Sequence, residues 1–335
     1  MTYESPLFHI DADQPFEPNH SEDPGLDAVE GWIFDQRDLE KRFGQVFRRS
    51  IDEVLDGQRT GRYDLYIKTG QGRVESTEKT YLGTKVEIVT RAEFDLGYGS
   101  PMDYVISGQH VDAKFTMGTT WMIPKEAMSH ICLLMRADDK ASAFQVGLLR
   151  ITPEVLTTST NGDQKWSVSA FGKSKIRWII QNGELPKNLL LSLKKESPGT
   201  VDAIFRASKD YHGSGNGGQL RVNELFRRVR GRLVDRTTVV TVATQQDSPK
   251  RVRDARTHLK PDGIIVLGHT KPSPQIADQL GLPRPDKGFW VSAKLTVLDD
   301  HSPRRSAVIG GTRYGIWEPG DPPCEAPRIN QETEE

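Results

Sequence analysis

Met102-Asp103-Tyr104-Val105-Ile106-Ser107-Gly108-Gln109-His110-Val111-Asp112-Ala113-Lys114-Phe115 holds two short alternating runs separated at Ser107-Gly108-Gln109. Such a pattern predicts a β-hairpin. On a strand, residues two apart share a face, so Asp112 and Lys114 point one way while Val111, Ala113 and Phe115 point the other. One face is chemical and the other is core. Asp103, Asp112 and the backbone carbonyl of Ala113 are the hard oxygen donors that suit Mg²⁺. Such a cation acidifies a water that it binds and neutralises charge developing on a phosphate, and Lys114 can position that water or take up its proton. Two Asp and a Lys on a hairpin also make an ordinary solvated sheet face, so the pattern needs support from elsewhere.

That support lies upstream. In Thr80 to Phe94, Leu82, Val86, Val89 and Phe94 fall at helical spacing, which predicts a helix carrying Glu87. Glu87 then becomes a third carboxylate facing the hairpin. An acid on a helix, then Asp, then Asp-x-Lys is the order that a metal-dependent nuclease core of the PD-(D/E)xK kind requires.

The chain has 335 residues, 36% of them hydrophobic, enough for about two domains with real cores. Residues 1–30 contain eight Asp or Glu and no Lys or Arg, and are expected to be a flexible acidic lead. No apolar run is long enough for a secretory segment or a membrane span, which predicts a cytoplasmic protein without a membrane partner. Cys132 and Cys324 stand alone, without CxxC or Cys/His spacing, against a disulfide framework or a zinc site. The net charge of −1 hides an asymmetry. Residues 221–260 carry eleven Lys or Arg against four Asp or Glu, a local balance of +7 that favours a polyanion.

Leu39, Phe43, Val46, Phe47, Ile51, Val54 and Leu55 recur at three- and four-residue steps, predicting one amphipathic helix ending near Asp56-Gly57. Gln58 to Ser76, rich in Gly, Arg and Lys, reads as a loop that either tracks a phosphate backbone or is simply solvated, with solvation the favoured reading. Ile131 to Met135 and Phe144 to Leu149 are short apolar runs that predict buried strands, and Thr157 to Asp163 reads as loop. The expected architecture is α/β, a mixed sheet flanked by helices over residues 31–182. Asn182-Gly183 and Pro186 mark a weak point, with a second domain over 188–328.

In that second part Val222, Leu225, Phe226, Val229 and Leu233 predict a helix whose other face carries Arg221, Arg227, Arg228 and Arg230. A helical Thr237 to Ala243 follows, then a polar link, then a helix opened by Ser248 as N-cap and Pro249 in its first turn. Val252, Ala255 and Leu259 form its seam, which leaves Lys250, Arg251, Arg253 and Arg256 on the exposed side. Helix, short turn and basic second helix is the geometry that enters a major groove. Gly263 to Leu267, Phe289 to Val297 and Arg305 to Ile309 would add a small sheet, making a winged-helix arrangement. The Gly213 to Gly218 run lacks a following Gly-Lys-Ser/Thr and reads as a loop. No histidine pair has metal spacing, and no Gly-x-Ser-x-Gly elbow is present.

The chain resembles the NaeI-type restriction endonucleases. The likeness runs through Asp56-Gly57-Gln58-Arg59-Thr60-Gly61-Arg62, Thr77-Glu78-Lys79-Thr80, Val86-Glu87-Ile88, Asp103-Tyr104, Val111-Asp112 with Lys114-Phe115, and His130-Ile131-Cys132-Leu133. It continues through Arg221-Val222-Asn223-Glu224-Leu225-Phe226-Arg227-Arg228-Val229, Lys250-Arg251-Val252-Arg253 and Pro319-Gly320-Asp321-Pro322, spanning about residues 35–328 in order. The resemblance implies a homodimer with an N-terminal Mg²⁺-dependent endonuclease domain and a C-terminal winged-helix domain of the catabolite-activator type. It implies two bound copies of the recognition site, one cleaved and one activating, and a companion DNA methyltransferase acting on the same site.

Glu87, Asp103, Asp112 and Lys114 match the family's catalytic residues by type and order. Asp103, Asp112, Glu87 and the Ala113 carbonyl are then the expected metal ligands, and Ala113 stands where the family can have Cys. Lys250, Arg251, Arg253, Arg256, Arg227 and Arg228 are the expected DNA contacts. Ile51 to Gly57 is similar to a family segment likened to a DNA ligase active site. With Val54 in place of a nucleophilic Lys, no strand joining is expected. The expectation is therefore a type II restriction endonuclease acting on a palindromic duplex, with GCCGGC, the site of the family's best-known member, as the first sequence to try. The rival is a winged-helix regulator with an inactive nuclease-like domain, which has no need of the four active-site residues together.

Overall fold

The computed structural model describes residues 22–329 except 69, 71, 198 and 216, so residues 1–21 of the expected acidic lead lie outside the described residues. The first part contains α1 (Pro24–Phe34), α2 (Leu39–Leu55), α3 (Gly57–Thr60), α4 (Ser76–Phe94), β1 (Gly97–Tyr98), β2 (Tyr104–Ile106) and β3 (Gln109–Thr116). It continues with β4 (Met122–Ile123), β5 (Ile131–Asp138), β6 (Ala143–Arg150), β7 (Leu156–Thr160), β8 (Trp166–Val168), α5 (Ala170–Ser174) and β9 (Arg177–Glu184).

The central sheet runs β1-β2-β3-β5-β6-β9. Its neighbours are antiparallel except β3 and β5, which are parallel. The hairpin turn is two residues long, because Gln109 already pairs with Ile106. Ser107 and Gly108 both have positive φ (49° and 74°), the sign that matches the twist of paired strands. Helices α1, α2 and α4 cover one face of the sheet, where Val29, Phe43, Phe47, Leu82, Val86, Val111 and Leu133 share a core.

The other face is also covered. A small sheet ordered β4-β8-β7 builds a second core there, with Trp121, Ile123, Val155 and Val168 against Cys132, Leu134 and Leu149 of the central strands. The face of β3 that carries Asp112 and Lys114 therefore borders apolar packing rather than open solvent. Thr157 to Thr160, expected as loop, belongs to β7, because its threonines suit an edge strand that pairs with β8.

Residues 22–30 are not a flexible lead. Asp23 caps α1 through the Leu26 amide and pairs with Arg150 at 2.7 Å, while Leu26, Val29 and Ile33 are buried. The helix bearing Glu87 starts at Ser76, four residues before the apolar pattern does. Glu78 there accepts from the Glu75 backbone N–H and pairs with Arg62 at 2.7 Å.

Strand β9 runs on to Glu184, past the expected end at 182, and the first core closes with Leu185. The second core opens at Leu189. This second part contains α6 (Leu189–Glu196), α7 (Thr200–Arg206), α8 (Gly218–Arg228), β10 (Leu233–Asp235), α9 (Arg236–Ala243), α10 (Ser248–Leu259), β11 (Ile264–Leu267), α11 (Ser273–Leu280), β12 (Phe289–Val297), β13 (Ser306–Ile309) and β14 (Thr312–Ile316). Strand β12 pairs with β10 and β11 at one end and with β14 at the other.

Three expectations change here. Leu233 lies in β10 rather than extending α8, which ends at Arg228 with Val229 as its C-cap. Arg221 is buried, donating to the Val242 carbonyl at 2.6 Å and the Ala243 carbonyl at 2.9 Å. It thus satisfies the C-terminal carbonyls of α9. Asp247, not Ser248, caps α10, its side chain accepting from the Lys250 amide.

Candidate active site and DNA interface

The pairing Tyr104↔Val111 sets Asp103, just ahead of β2, opposite Asp112 on β3. Asp103 Oδ2 accepts the Ala113 backbone N–H at 2.7 Å, which ties the first carboxylate to the strand that carries the second. Lys114 Nζ lies 2.7 Å from Asp112 Oδ2 and 3.1 Å from the Ala113 carbonyl. A cationic group thus already sits between two of the expected metal-binding oxygens.

Parallel pairing aligns Asp112 with Cys132 of β5, and the Cys132 thiol faces Asp112 Oδ2 at 3.8 Å. Burial, with Asp103 close by and despite Lys114, pushes the Asp112 carboxyl up to about 6. Burial also pushes the Cys132 thiol well up.

Glu87 faces the same cluster from α4. Its carboxylate is held by Arg91 at 2.8 Å, and Arg91 also donates to the Asp103 carbonyl at 3.3 Å. The Tyr104 hydroxyl donates to the Glu87 backbone carbonyl at 2.9 Å, so the helix and the hairpin are joined at two points. Burial and then Asp103 raise the Glu87 carboxyl, with Arg91 opposing them. Arg91 further lies 4.4 Å from the Tyr98 ring centre.

Among the described residues no group of three or more His, Cys, Asp or Glu side chains is close enough to hold a metal ion. Two carboxylates and a backbone carbonyl nevertheless form a hard-oxygen set that fits Mg²⁺, an ion that keeps several waters of its own. The raised Asp112 carboxyl records negative charge crowded at a dry site, which a cation would relieve. Glu87 stands one step outside that set, with Oε1 engaged by Arg91.

Arg91, Tyr104 and Cys132 are not among the site residues expected from the sequence. Arg91 stands four residues after Glu87 and was findable as a helical ion pair. Cys132 was not, because it reaches Asp112 only through the parallel register of strands twenty residues apart. The same register brings His110 and His130 to 6.2 Å between ring centres, a pair with no signature in linear spacing.

Of the expected DNA contacts, Lys250 and Arg253 are exposed on α10 and Arg251 is half-buried. Arg256 is turned inward from that exposed side, its Nε donating to the Val266 carbonyl at 2.8 Å. Arg227 pairs with Glu224 at 2.7 Å and Asp262 at 2.8 Å, and Arg228 pairs with Glu224 at 2.5 Å. Their charge is therefore partly neutralised within the chain. No helix among the described residues is long and apolar enough to cross a membrane.

The family model for restriction endonuclease NaeI matches residues 35–325. The chain is 41% identical over 319 residues to the type II restriction enzyme NaeI of Lentzea aerocolonigenes, an alignment covering 93% of this chain and 96% of that protein. With both halves of the fold inside that match, the chain belongs to the NaeI restriction endonuclease family.

Proposed function

We propose that this restriction endonuclease hydrolyses both strands of a specific palindromic DNA site with Mg²⁺ as cofactor, and that a second copy of the site activates it. The observation that carries the catalytic part is the cluster of Asp103, Asp112, the Ala113 carbonyl and Lys114. Asp103, Asp112 and the Ala113 carbonyl would hold Mg²⁺, with Glu87 assisting. The ion, when bound, neutralises charge developing on the scissile phosphate and acidifies a water.

The chain's own residues do the rest. The Ala113 N–H fixes the Asp103 carboxylate, and Lys114 is placed to orient the attacking water beside Asp112. The core around Trp121 and Leu134 keeps bulk water from one side of that pair, so each charge there acts strongly.

Residues 188–328 would be the DNA-binding half. The order α8, β10, α9, α10, β11, β12, with β12 between β10 and β11, supports a winged-helix reading in which α10 enters the major groove. Lys250, Arg251 and Arg253 would contact DNA, Arg256 from its seam with β11, and Arg227 and Arg228 from the rim. A two-fold symmetric homodimer would match a palindromic site, with one active site for each strand. A methyltransferase of the same specificity would protect the host's own DNA.

The test is plasmid incubated with purified protein and Mg²⁺, beside Lys114→Ala and a metal-free control. Discrete fragments are expected only from the native protein with metal. Tight binding of the plasmid with no cutting in any arm would overturn the nuclease reading, and sequencing the fragment ends would identify the site.

A further inference from the structure

At the C-terminal end of α10 a cavity of about 290 Å³ is bounded by α10, β11, the start of α11 and the chain near residue 328. Arg256, Thr257, Val266, Ser273 and Arg328 are among its lining residues. Five arginines in this half of the chain, Arg227, Arg228, Arg232, Arg284 and Arg304, are each held by a carboxylate partner. Arg256 has none among the described residues. One nitrogen is used on the Val266 carbonyl, and the like charge of Arg253 acts on the group. A guanidinium half withdrawn from water without a counter-ion carries a desolvation cost, and an anion beside it would be stabilised.

A second observation is independent of that charge. Ser273 is 1% exposed, lines the same cavity, and has a hydroxyl without a hydrogen-bond partner. Buried hydroxyls are normally satisfied, so a native one left alone calls for an acceptor or donor from outside the fold. Arg328 adds an exposed cation at the rim.

We propose that this cavity binds a phosphate group, held by Arg256, Ser273 and Arg328. Tetrahedral, multiply charged and rich in acceptors, a phosphate satisfies an arginine fork and a hydroxyl together. Two sources share this chemistry, the DNA backbone and free phosphate in solution. The backbone is favoured because Arg253 and Lys250 are exposed on the neighbouring side of the same helix, so a strand running along them would pass the cavity. That source rests on the DNA-binding reading above, while the cavity itself does not.

The experiment uses the full chain, native and as Ser273→Ala and Arg256→Gln, with two probes. One is mixed-sequence duplex DNA, bound over a range of salt concentrations. The other is inorganic phosphate, followed by broadening of its phosphorus resonance. Ser273→Ala is the clean variant, because it deletes no hydrogen bond of the fold and should leave thermal stability unchanged or slightly raised.

If the site is real, Ser273→Ala weakens binding of one probe about tenfold, the scale of one hydrogen bond to a charged group. Arg256→Gln should also remove about one unit from the salt slope if the source is DNA. An effect on phosphate alone, with the DNA slope unchanged, assigns the site to free phosphate. Native-like binding of both probes by both variants overturns the proposal. Should the native chain bind no duplex at all, the DNA-binding reading fails, and the phosphate probe alone decides the cavity.

Discussion

Asp112 is a carboxylate held where water is scarce. Burial and the neighbouring Asp103 move its carboxyl from 3.8 up to about 6, and Lys114 at 2.7 Å offsets only part of that rise. Between those values the folded metal-free chain keeps a proton that the unfolded chain gives up. The stability contributed by this group is therefore fully present below about pH 4 and is lost as pH rises through about 6, on the order of 3 kcal/mol. Urea midpoints measured across that window should fall for the native chain and stay flatter for Asp112→Asn. Parallel curves would show that Asp112 is not the group responsible. The Asp103, Asp112 and Lys114 spacing was legible because a hairpin's period of two dictates which side chains share a face. What raises the Asp112 carboxyl was not legible, because Cys132, Leu134 and Trp121 reach that face through pairings that no local pattern encodes.

Between elements, one close fit joins the two halves. A methyl group at Gly57 in α3 would lie 2.2 Å from Thr241 Oγ1 of α9 and 2.9 Å from the Arg62 carbonyl. Gly57→Ala should therefore force the helices apart and destabilise the fold by about 1–3 kcal/mol, the usual cost of overpacking. Thr241→Ala in the same chain should recover part of the loss, since only the Arg62 contact then remains. Chemical denaturation of the two single variants and the double variant measures this, and strictly additive losses would mean that Gly57 and Thr241 do not meet. Long amphipathic helices such as α2 were readable because apolar periodicity states their burial directly. Short elements were misread for a physical reason. Leu233 and Asp23 to Glu30 take their structure from partners far along the chain, namely β12 and Arg150, while Thr157 to Thr160 lack the apolar alternation that would announce their pairing with the adjacent β8. Arg221 looked like one more exposed cation, yet a helix C-terminus with unsatisfied carbonyls had claimed it.

At the scale of the molecule, the two halves touch through elements that lead to the cluster. Thr241 of α9 meets Gly57 directly after α2, and Arg48 of α2 binds Asp139, which accepts from Asn188 at 3.3 Å as the second core begins. Helix α2 packs in turn on α4, where Phe43 meets Phe94 at 4.6 Å between ring centres and Glu53 pairs with Lys85, two residues before Glu87. DNA that shifts α9 against α3 therefore has a short packed route to the helix bearing Glu87. Coupling of this kind requires that the two states differ in contact, and close-packed elements respond by moving together. The expected outcome is that a plasmid with one recognition site is cleaved slowly alone, and about 5-fold faster or more when a short uncleaved duplex bearing the site is added in trans. Gly57→Ala should reduce that acceleration more than it reduces the rate without the added duplex. Initial rates from linearised product would measure both. Equal rates with and without the short duplex would remove second-site activation and leave the hydrolytic role proposed for Asp103, Asp112 and Lys114 untouched.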